Sequence, residues 1–490
     1  MEGKMGDKDG GGAGQERKTE RPDEDALRHS LRLVMWAWVF GAVWMYICSG
    51  AVMTRFAQCL DLPPFGYGLL AALPYAGTLM QLPTSYFIEK WGYQKPLFIG
   101  AGIAHRFVWV LIGLVPWMAP EPFRWIWLLV LVFLTSAIAH ISTPVWYSWM
   151  GDLVPTRLRG RYFSRRVRLG QGVGVVITLL TGYFLDRVAP YGRDAMLKAL
   201  AAALVVAGIF GMVDFLFFIR VLPPSRHRPN PNLQWLAMLK QPLSDANFRR
   251  FMGFTATLTF AIGYVGQFVW LYLFDVGFSN MQANVMLILV PLLVMMFSGP
   301  FWGRVIDRFG RKPVLMITGF CVVNGAVVWL FVTPERWVAG YLLALAITFA
   351  WPGLELANFN ILLSMSESLS GRRYGTAYIA VSSVVTAIAG FASGLFGGAV
   401  AEWVGDWHTD LFGWRFGYQA VLFILSAFFR LLALAWLPGL EDAGSHSARA
   451  TLRYVAGTLY SNLQGVVLMP VRAAVRVGRL TYKMHPRSRA

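Results

Sequence analysis

Apolar residues occupy twelve long runs of the chain, which are separated by shorter polar segments. Each run reaches the roughly 20 residues that a helix needs to cross the hydrocarbon core of a bilayer. The pattern therefore predicts an all-α membrane protein with twelve transmembrane helices, here called spans 1 to 12. The runs cover approximately residues 33–54, 66–88, 97–118, 125–149, 169–188, 198–219, 251–274, 284–304, 313–333, 338–362, 377–400 and 416–437.

Composition indicates the same class. Of the 490 residues, 56% are hydrophobic and only 14% are charged, as is typical of a polytopic membrane protein. Residues 1–30 are predicted to be a disordered tail, because the first 24 are glycine-rich and polar and lack the order of a cleavable signal. The three cysteines show no metal-ligand spacing, so we expect neither a metal site nor a disulfide framework.

Lysine and arginine predict the orientation, because basic residues are retained on the cytoplasmic side of a membrane. With the N-terminus inside, the inner loops hold 20 of these residues and the outer loops hold seven. Both termini are therefore predicted to be cytoplasmic. The net charge of +18 reflects this topology, and without a soluble basic domain we expect no nucleic-acid partner.

A polar linker divides the chain into two halves. It covers residues 220–250 and separates six spans in residues 31–219 from six spans in residues 251–438. Residues 439–490 form a basic tail, in which Arg472, Arg476, Arg479 and Lys483 recur at helical spacing. This spacing predicts an amphipathic helix on the anionic inner leaflet. A solvated tail is the alternative.

Two sequence motifs recur in both halves at similar offsets. The segment Gly303-Arg-Val-Ile-Asp-Arg-Phe-Gly-Arg-Lys312 corresponds to Ser85-Tyr-Phe-Ile-Glu-Lys-Trp-Gly-Tyr-Gln94. Arg159-Gly-Arg-Tyr-Phe163 after span 4 corresponds to Ser370-Gly-Arg-Arg-Tyr374 after span 10. Two matched motifs indicate parallel six-helix repeats related by an axis along the membrane normal.

These motifs resemble those of the major facilitator superfamily, whose signature loop has the form G-x-x-x-D-R-x-G-R-R/K. The second-half copy matches all six defined positions, whereas the first-half copy departs from it at Ser85, Glu89, Lys90 and Tyr93. The resemblance covers about residues 30–440 and implies two six-helix bundles that transport a solute by alternating access.

The resemblance also implies a gate at the inner ends of the spans. We expect Asp307 to face the start of span 11 near Gly375, and Glu89 to face the start of span 5 near Arg166, because a helix N-terminus favours a carboxylate. Such contacts form only when the inner side is closed, so they bias one access state. The alternative is that the basic residues only anchor the topology. The predicted gating motif comprises Gly303, Asp307, Arg308, Gly310, Arg311, Lys312, Glu89, Lys90, Arg161 and Arg372.

Spans 1, 4, 7 and 10 line the central cavity in this superfamily, which implies the candidates for the solute or proton pathway. They are His140, Glu355, Asn358, Tyr264, Gln267, Trp38 and Tyr147. Glu355 can carry a proton, because alternating exposure changes the desolvation of a carboxyl group, and histidine titrates near neutral pH. The alternative is that Glu355 and His140 only make local hydrogen bonds.

Other polar or small residues within spans have structural interpretations. Arg106 in span 3 and Asp214 in span 6 are predicted to form an ion pair, since neither charge tolerates lipid alone. Gly390, Gly394 and Gly398 in span 11 form a small-residue ridge that permits close helix approach.

No nucleotide-binding loop or zinc-binding helix motif occurs, so we expect no enzyme and no cofactor. The sequence therefore predicts a secondary transporter of the bacterial inner membrane that carries a small organic solute as a monomer, with Glu355 or His140 as the candidate for proton coupling. A neutral or amphipathic solute is favoured over a polyanion. The alternatives are a uniporter or sugar-type importer, and a transporter-like receptor or assembly factor without transport.

Overall fold

The computed structural model describes residues 24–84, 87, 94–224, 240, 242–368, 375–411, 414–442 and 444–467. In this part, ten helices are long and apolar enough to cross a membrane, and each coincides with a predicted span. Spans 2 and 12 coincide with the shorter helices Pro64–Thr78 and Tyr418–Leu434, which have 15 and 17 residues. The end of span 2 lies outside the described residues.

The helices follow the predicted order. In the first half they are α1 (Glu24–Cys48), α2 (Ala51–Cys59), α3 (Pro64–Thr78), α4 (Gln94–Met118), α5 (Arg124–Leu153), α6 (Arg159–Val188) and α7 (Arg193–Phe217). In the second half they are α8 (Ala246–Gly263), α9 (Val265–Asp275), α10 (Asn280–Asn284), α11 (Val290–Phe309), α12 (Arg311–Val328), α13 (Trp337–Ser368), α14 (Gly375–Val404), α15 (Tyr418–Leu434) and α16 (Ala448–Val467).

Two features differ from the sequence-based expectations. α1 begins at Glu24, so residues 24–30 are helical rather than part of a disordered tail, and two acidic residues in the first turn suit the helix dipole. A short antiparallel hairpin, β1 (Thr409–Leu411) and β2 (Trp414–Phe416), interrupts the all-α pattern before span 12. The predicted amphipathic helix around Arg472 lies outside the described residues.

A glycine divides span 1 into two helices. α1 ends at Cys48 and α2 begins at Ala51, and between them Gly50 has a φ of +86°, which side chains with a Cβ rarely adopt. A Cβ at Gly50 would also lie 2.5 Å from Ile288 Cδ1 and 3.1 Å from Asn284 Oδ1 of the second half. Both the backbone and the close approach of the two halves therefore require glycine here.

Irregular backbone recurs in spans 7 and 8. Tyr264 separates α8 from α9 in span 7, which is the repeat partner of span 1. In span 8, Val285–Leu289 form a π-helical segment, a widened turn that is frequent at functional sites. Since Ile288 of this segment approaches Gly50, the irregular turns of spans 1 and 8 meet between the two halves.

Helix packing follows the predicted repeat. In the first half, span 1 packs on spans 5 and 6, span 2 on span 4, and span 3 on spans 4 and 6. In the second half, span 7 packs on spans 11 and 12, span 8 on span 10, and span 9 on spans 10 and 12. The contacts of span 2 with span 11 and of span 5 with span 8 join the halves. The repeat pairs span 2 with span 8 and span 5 with span 11, so it converts one of these contacts into the other.

The two ends of the bundle differ in how their apolar cores are connected. At one end, here called the closed end, a single buried cluster contains residues of both halves, such as Phe56 and Phe268. At the other end, here called the motif end because it carries Gly310, each half has its own cluster, around Trp149 in the first half and around Trp302 in the second. Within the described residues, the halves therefore share a core only at the closed end.

The glycine ridge of α14 forms part of the contact between the halves. A Cβ at Gly394 would lie 2.5 Å from Ala72 Cβ of α3 and would clash with the Gly68 carbonyl oxygen, and a Cβ at Gly390 would clash with the Tyr75 ring. A Cβ at Gly398 would lie 2.7 Å from the backbone oxygen of Phe65. The prediction that this ridge permits close helix approach is confirmed.

We expect Gly394→Val to lower the free energy of unfolding by about 1–3 kcal/mol, because the added side chain overpacks the contact between α3 and α14. The measurement is the melting temperature of the purified protein in detergent. Gly299→Val is the matched control, since a Cβ at Gly299 of α11 meets no atom within 4 Å. Equal melting temperatures for the two variants would contradict the role of the ridge.

Candidate functional site

A cavity of about 320 Å³ lies inside the first six-helix bundle. It lies toward the motif end, between the start of α4 at Phe98 and the residue after α7, Phe218. Tyr147 is 68% exposed and lines the mouth of the cavity. Spans 1, 3, 4, 5 and 6 supply its polar and aromatic walls, which include Trp38, Trp44, Arg106, Ser142, Trp146, Arg166 and Asp214.

A buried ion pair forms the inner wall of the cavity. Arg106 and Asp214 are each 7% exposed, and Arg106 Nη2 lies 3.7 Å from Asp214 Oδ2, so the predicted ion pair is confirmed. The guanidinium carbon of Arg106 also lies 3.3 Å from the ring centroid of Trp44. Glycines leave room for both charges, because a Cβ at Gly41 or Gly211 would come within 2.5 Å of Asp214 Oδ2 or Arg106 Cδ, respectively.

His105 is a neutral neighbour of this pair. Arg106 Nη1 lies 3.1 Å from His105 Nε2, and because a guanidinium group only donates, Nε2 accepts. The proton therefore sits on Nδ1, which donates to the Thr135 carbonyl oxygen at 3.0 Å. The charged groups that line the cavity are thus Arg106, Arg166 and Asp214, with one net positive charge.

Arg166 enters the cavity from span 5. Its guanidinium carbon lies 3.9 Å from the ring centroid of Trp38 and 4.8 Å from that of Trp146, which are cation–π distances. A Cβ at Gly170 would clash with the Trp38 indole, so glycine on the next turn of span 5 makes this stacking possible. Among the described residues, Arg166 forms no ion pair with a carboxylate.

The cavity residues carry hydrogen-bonding atoms without partners. The buried atoms Trp38 Nε1, Trp44 Nε1, Arg106 Nε, Ser142 Oγ and Arg166 Nε have no hydrogen-bond partner within the described part of the chain. Such atoms are rare in protein interiors. All five belong to side chains that line the cavity.

The predicted pathway residues of the first half lie in or near this cavity. Trp38 and Tyr147 line it, as described above. His140 is half-buried on the same helix as Tyr147, but its Nδ1 lies 2.9 Å from Gln81 Nε2, so the ring faces span 2.

The predicted pathway residues of the second half make separate contacts. Glu355 is exposed on α13 and accepts a hydrogen bond from Trp351 Nε1 at 2.7 Å. Asn358, one turn further on, accepts a hydrogen bond from Thr255 Oγ1 of span 7 at 3.3 Å. Glu355 therefore remains accessible, whereas Asn358 links two helices of one bundle.

Two further predicted residues of the second half contact neighbouring helices. Tyr264 has no exposed surface, and its hydroxyl donates to the Leu422 carbonyl oxygen of span 12 at 3.3 Å. Gln267 Oε1 accepts a hydrogen bond from Thr54 Oγ1 of α2 at 3.3 Å, between the two halves. The break at Tyr264 turns this ring into the core of the second half.

The signature loop is a one-residue turn between α11 and α12. Gly310 has a φ of +92°, as this turn requires. Asp307 is exposed and makes no hydrogen bond or ion pair with the described residues. Its predicted partner is the start of span 11 near Gly375, directly after residues 369–374, which lie outside the described part. The guanidinium carbon of Arg308 lies 4.9 Å from the ring centroid of Tyr454 in α16, and a Cβ at Gly303 would meet no atom within 4 Å.

Four residues of the predicted gating motif lie outside the described residues or on the protein surface. Glu89, Lys90 and Arg372 lie outside the described residues. Arg161 is exposed on α6, and the neighbouring Arg159 makes the structural contacts instead. Arg159 Nε donates to the Val154 carbonyl oxygen at 3.1 Å, and Arg159 Nη2 donates to that of Gly151 at the end of α5.

Asp442, which follows span 12, caps the helix that follows the signature loop. Its Oδ2 accepts hydrogen bonds from the backbone N–H groups of Arg311 and Lys312 at 3.0 and 3.1 Å, and its Oδ1 pairs with the Arg311 guanidinium. Lys312 Nζ donates to the carbonyl oxygens of Pro438 and Leu440 at 2.9 and 2.8 Å. Partial burial alone would raise the pKa of Asp442, but the hydrogen bonds and Arg311 outweigh it, so the pKa lies below its usual range.

A polar latch joins the halves at the closed end. Asp186 at the end of α6 accepts hydrogen bonds at Oδ1 from the backbone N–H and Nδ2 of Asn280, at 2.8 and 2.9 Å, and at Oδ2 from the Met281 N–H at 3.1 Å. Arg55 Nε of α2 donates to Asn280 Oδ1 at 3.0 Å. The first half thereby caps the first turn of span 8 in the second half.

Sequence analysis misses the roles of Arg166 in the cavity and of Asp186 in the latch. Arg166 belongs to a run of six basic residues and counts there as a topology signal. A weak signal existed for both, because each is a charged residue on the helix of span 5, where Gly170 and Gly174 are spaced for close approach of another helix. Asp442 gave no signal, since its partners lie about 130 residues away in the chain.

Known proteins share this architecture. The sequence profile of the Major Facilitator Superfamily matches residues 33–394. The nucleoside transporter NupG aligns with a TM-score of 0.61 at 12% identity over 85% of this chain and 99% of its own. A bacterial homologue of the human lysosomal transporter Spinster, in an inward-facing conformation, aligns with a TM-score of 0.62 at 16% identity over 88% and 98% of the two chains.

A D-xylose-proton symporter aligns with a TM-score of 0.57 at 16% identity over 82% of this chain and 96% of its own. No curated protein sequence matches the chain significantly. Fold and helix pattern thus define a multi-pass membrane transporter. The chain belongs to the major facilitator superfamily and is a secondary transporter.

We expect Asp186→Asn to open the closed end, because it removes the charge from the hydrogen bonds that cap span 8. If the closed state loses about 1.4 kcal/mol of stabilisation, the ratio of open to closed molecules rises tenfold. The measurement is maleimide labelling of Thr54→Cys, a position that is 1% exposed here, in a protein without its native cysteines. Asp194→Asn is the control, since Asp194 pairs with Lys198 within one helix. Labelling that matches the control would exclude a latch role.

We expect Asp442→Asn to lower the free energy of unfolding by about 1.5–3 kcal/mol at pH 7, because it removes the charge that binds Arg311. The carboxylate has a lowered pKa, so its contribution is present above the ordinary pKa of about 4 and disappears as pH falls through the folded-state value. Melting temperatures of wild type and variant should therefore differ at pH 5–8 and converge below about pH 4. Glu441→Gln is the adjacent control, and an equal effect there would contradict the cap.

Proposed function

We propose that this transporter moves a small organic solute across the bacterial inner membrane by alternating access of its two six-helix bundles. The observation that carries the proposal is the difference between the ends: the halves share a buried core at the closed end and have separate cores at the motif end. A solute site between such bundles is reachable from one side at a time.

The distribution of basic residues supports an orientation in which the motif end faces the cytoplasm. In that orientation the described state is open inward and closed outward. The outward-open state would require the Asp186 latch and the contact of α3 with α14 to separate, and the inner ends of the two bundles to meet. Asp307 is then the carboxylate free to form the predicted contact with span 11.

The cavity in the first bundle is the proposed solute site. It opens past Tyr147 toward the motif end, and its aromatic walls suit a compact organic molecule. Because Arg106 and Asp214 line it as well, their ion pair has a part in solute binding besides its structural one.

Proton coupling is the proposed source of energy, with Glu355 as the carrier and His140 as a second candidate. Glu355 is exposed on span 10, while its only described hydrogen bond comes from its own helix. A carboxyl group in this position can gain and lose contact with water when the bundles rock. The similarity to a D-xylose-proton symporter is consistent with coupling to protons.

The membrane supplies the remaining partners in this proposal. The protein acts as a monomer, and the basic residues of the C-terminal tail bind anionic lipids of the inner leaflet. The side chains in question lie after residue 467, so this part rests on the sequence.

The function is tested by identifying a solute and measuring its flux. Thermal stabilisation across sugars, amino acids, nucleosides, organic acids, lipids and drugs identifies ligands, since binding at a hundredfold excess over Kd stabilises the folded state by about 2.7 kcal/mol. Uptake of each ligand into proteoliposomes then shows transport. Uptake that persists without a proton gradient indicates a uniporter, and a stable co-purifying partner without any flux indicates a receptor or assembly factor.

We expect Glu355→Gln to retain solute binding but to lose the dependence of uptake on the proton gradient. Glutamine keeps an acceptor for Trp351 Nε1 but cannot take up a proton. The measurement compares uptake at two imposed pH gradients. Glu335→Gln is the control, because Glu335 lies in an exposed loop at the closed end. A variant whose uptake is as pH-dependent as wild type would exclude Glu355 as the carrier.

A further inference from the structure

We infer that the cavity of the first bundle binds an organic monocarboxylate with a small aromatic or apolar body. This inference rests on the proposed function only in that the same cavity is taken as the solute site. The sequence favours a neutral or amphipathic solute, and the inference names a narrower class of solute.

The charge of the cavity favours one negative charge on the solute. Arg106 and Arg166 contribute two positive charges, Asp214 contributes one negative charge, and His105 is held neutral by its contact with Arg106. A monoanion therefore neutralises the site. A dianion such as a phosphate monoester would leave excess negative charge close to Asp214.

The two arginines differ in what they already bind. Arg106 has Asp214 as its ionic partner, together with the Trp44 face and His105. Arg166 has only the faces of Trp38 and Trp146 among its described close partners. Within the described part of the chain, its charge is therefore the one that has no carboxylate partner, and a guanidinium group can bind a carboxylate through two parallel hydrogen bonds.

The unpartnered atoms favour an acceptor over a donor on the solute. Four of the five are N–H groups, which only donate here: the indoles of Trp38 and Trp44 and the Nε atoms of Arg106 and Arg166. The fifth, Ser142 Oγ, can donate as well. An ionised carboxylate accepts at about four lone-pair sites and donates at none, so it suits a cavity whose polar side chains mainly donate.

The walls and the size of the cavity favour a compact apolar body. The rings of Trp38, Trp44, Phe98, Trp146 and Phe215 surround it. A volume of about 320 Å³ lies at the small end of the roughly 300–1,000 Å³ that ligand pockets usually have. A single ring with a short carboxylate side chain suits these dimensions.

The experiment compares acid and amide pairs of the same shape. Phenylacetate, 4-phenylbutyrate, indole-3-acetate and octanoate, each with its primary amide, are titrated into the full-length protein in detergent by calorimetry at pH 7.5. We expect at least one acid to bind, and to bind about tenfold or more tightly than its amide, because the amide cannot pair ionically with Arg166.

Variants of span 5 test the assigned arginine. Arg166→Gln should weaken binding of that acid about tenfold or more and leave binding of the amide nearly unchanged. Arg165→Gln is the matched control: Arg165 is exposed on the same helix and lines a different surface groove. It should bind both compounds as wild type does, and melting temperatures establish that each variant is folded.

The inference is overturned if no acid in the panel binds, if acid and amide bind equally, or if Arg166→Gln binds the acid as tightly as Arg165→Gln. The wild-type comparison decides the first two outcomes even if Arg166→Gln does not fold. Proteoliposome uptake separates this inference from the proposed function. Binding of an acid without flux would contradict transport but not the site, whereas flux of an unrelated neutral solute would support transport and contradict the site.

Discussion

The apolar core that crosses between the halves at the closed end is the constraint on which the rest of the structure depends. Burial of apolar surface is strong but not directional, so it holds the bundles together without fixing their angle. The angle is fixed by directional contacts at the rim, above all the three hydrogen bonds that Asp186 accepts from Asn280 and Met281. Because hydrogen bonds to charged groups contribute only about 1.5–3 kcal/mol, a solute with modest differential affinity can shift the balance.

The difference between the closed end and the motif end also explains why charged groups are tolerated inside the first bundle. A charge in an apolar interior is costly unless it is paired, and Arg106 has Asp214. Arg166 lies nearer the motif end, where the halves share no described core, and the indole faces supply the favourable contact. A site built in this way keeps one cation available without exposing it to lipid.

The sequence predicts the periodic features of this protein well and its tertiary contacts poorly. Long apolar runs, the repeated motifs and the ridge from Gly390 to Gly398 all depend on local composition, and the structure contains the corresponding helices and packing. The pairing of Arg106 with Asp214 follows from the cost of isolated charges in lipid. The burial of Tyr264 depends instead on helix phase and a local break, and the cap by Asp442 joins segments distant in sequence, so neither leaves a periodic signal.

Among the described residues, the contacts of Asp442 also divide the signature loop into a bound part and an unbound part. The backbone N–H groups of Arg311 and Lys312, together with their side chains, are all bound within the second half, by Asp442 and by carbonyl oxygens that include those after span 12. These contacts do not depend on how the two bundles are tilted. Asp307, on the other side of the Gly310 turn, is exposed and is not used in this cap. The basic end of the motif thus holds the turn through contacts within the second half alone, and Asp307 has no part in them.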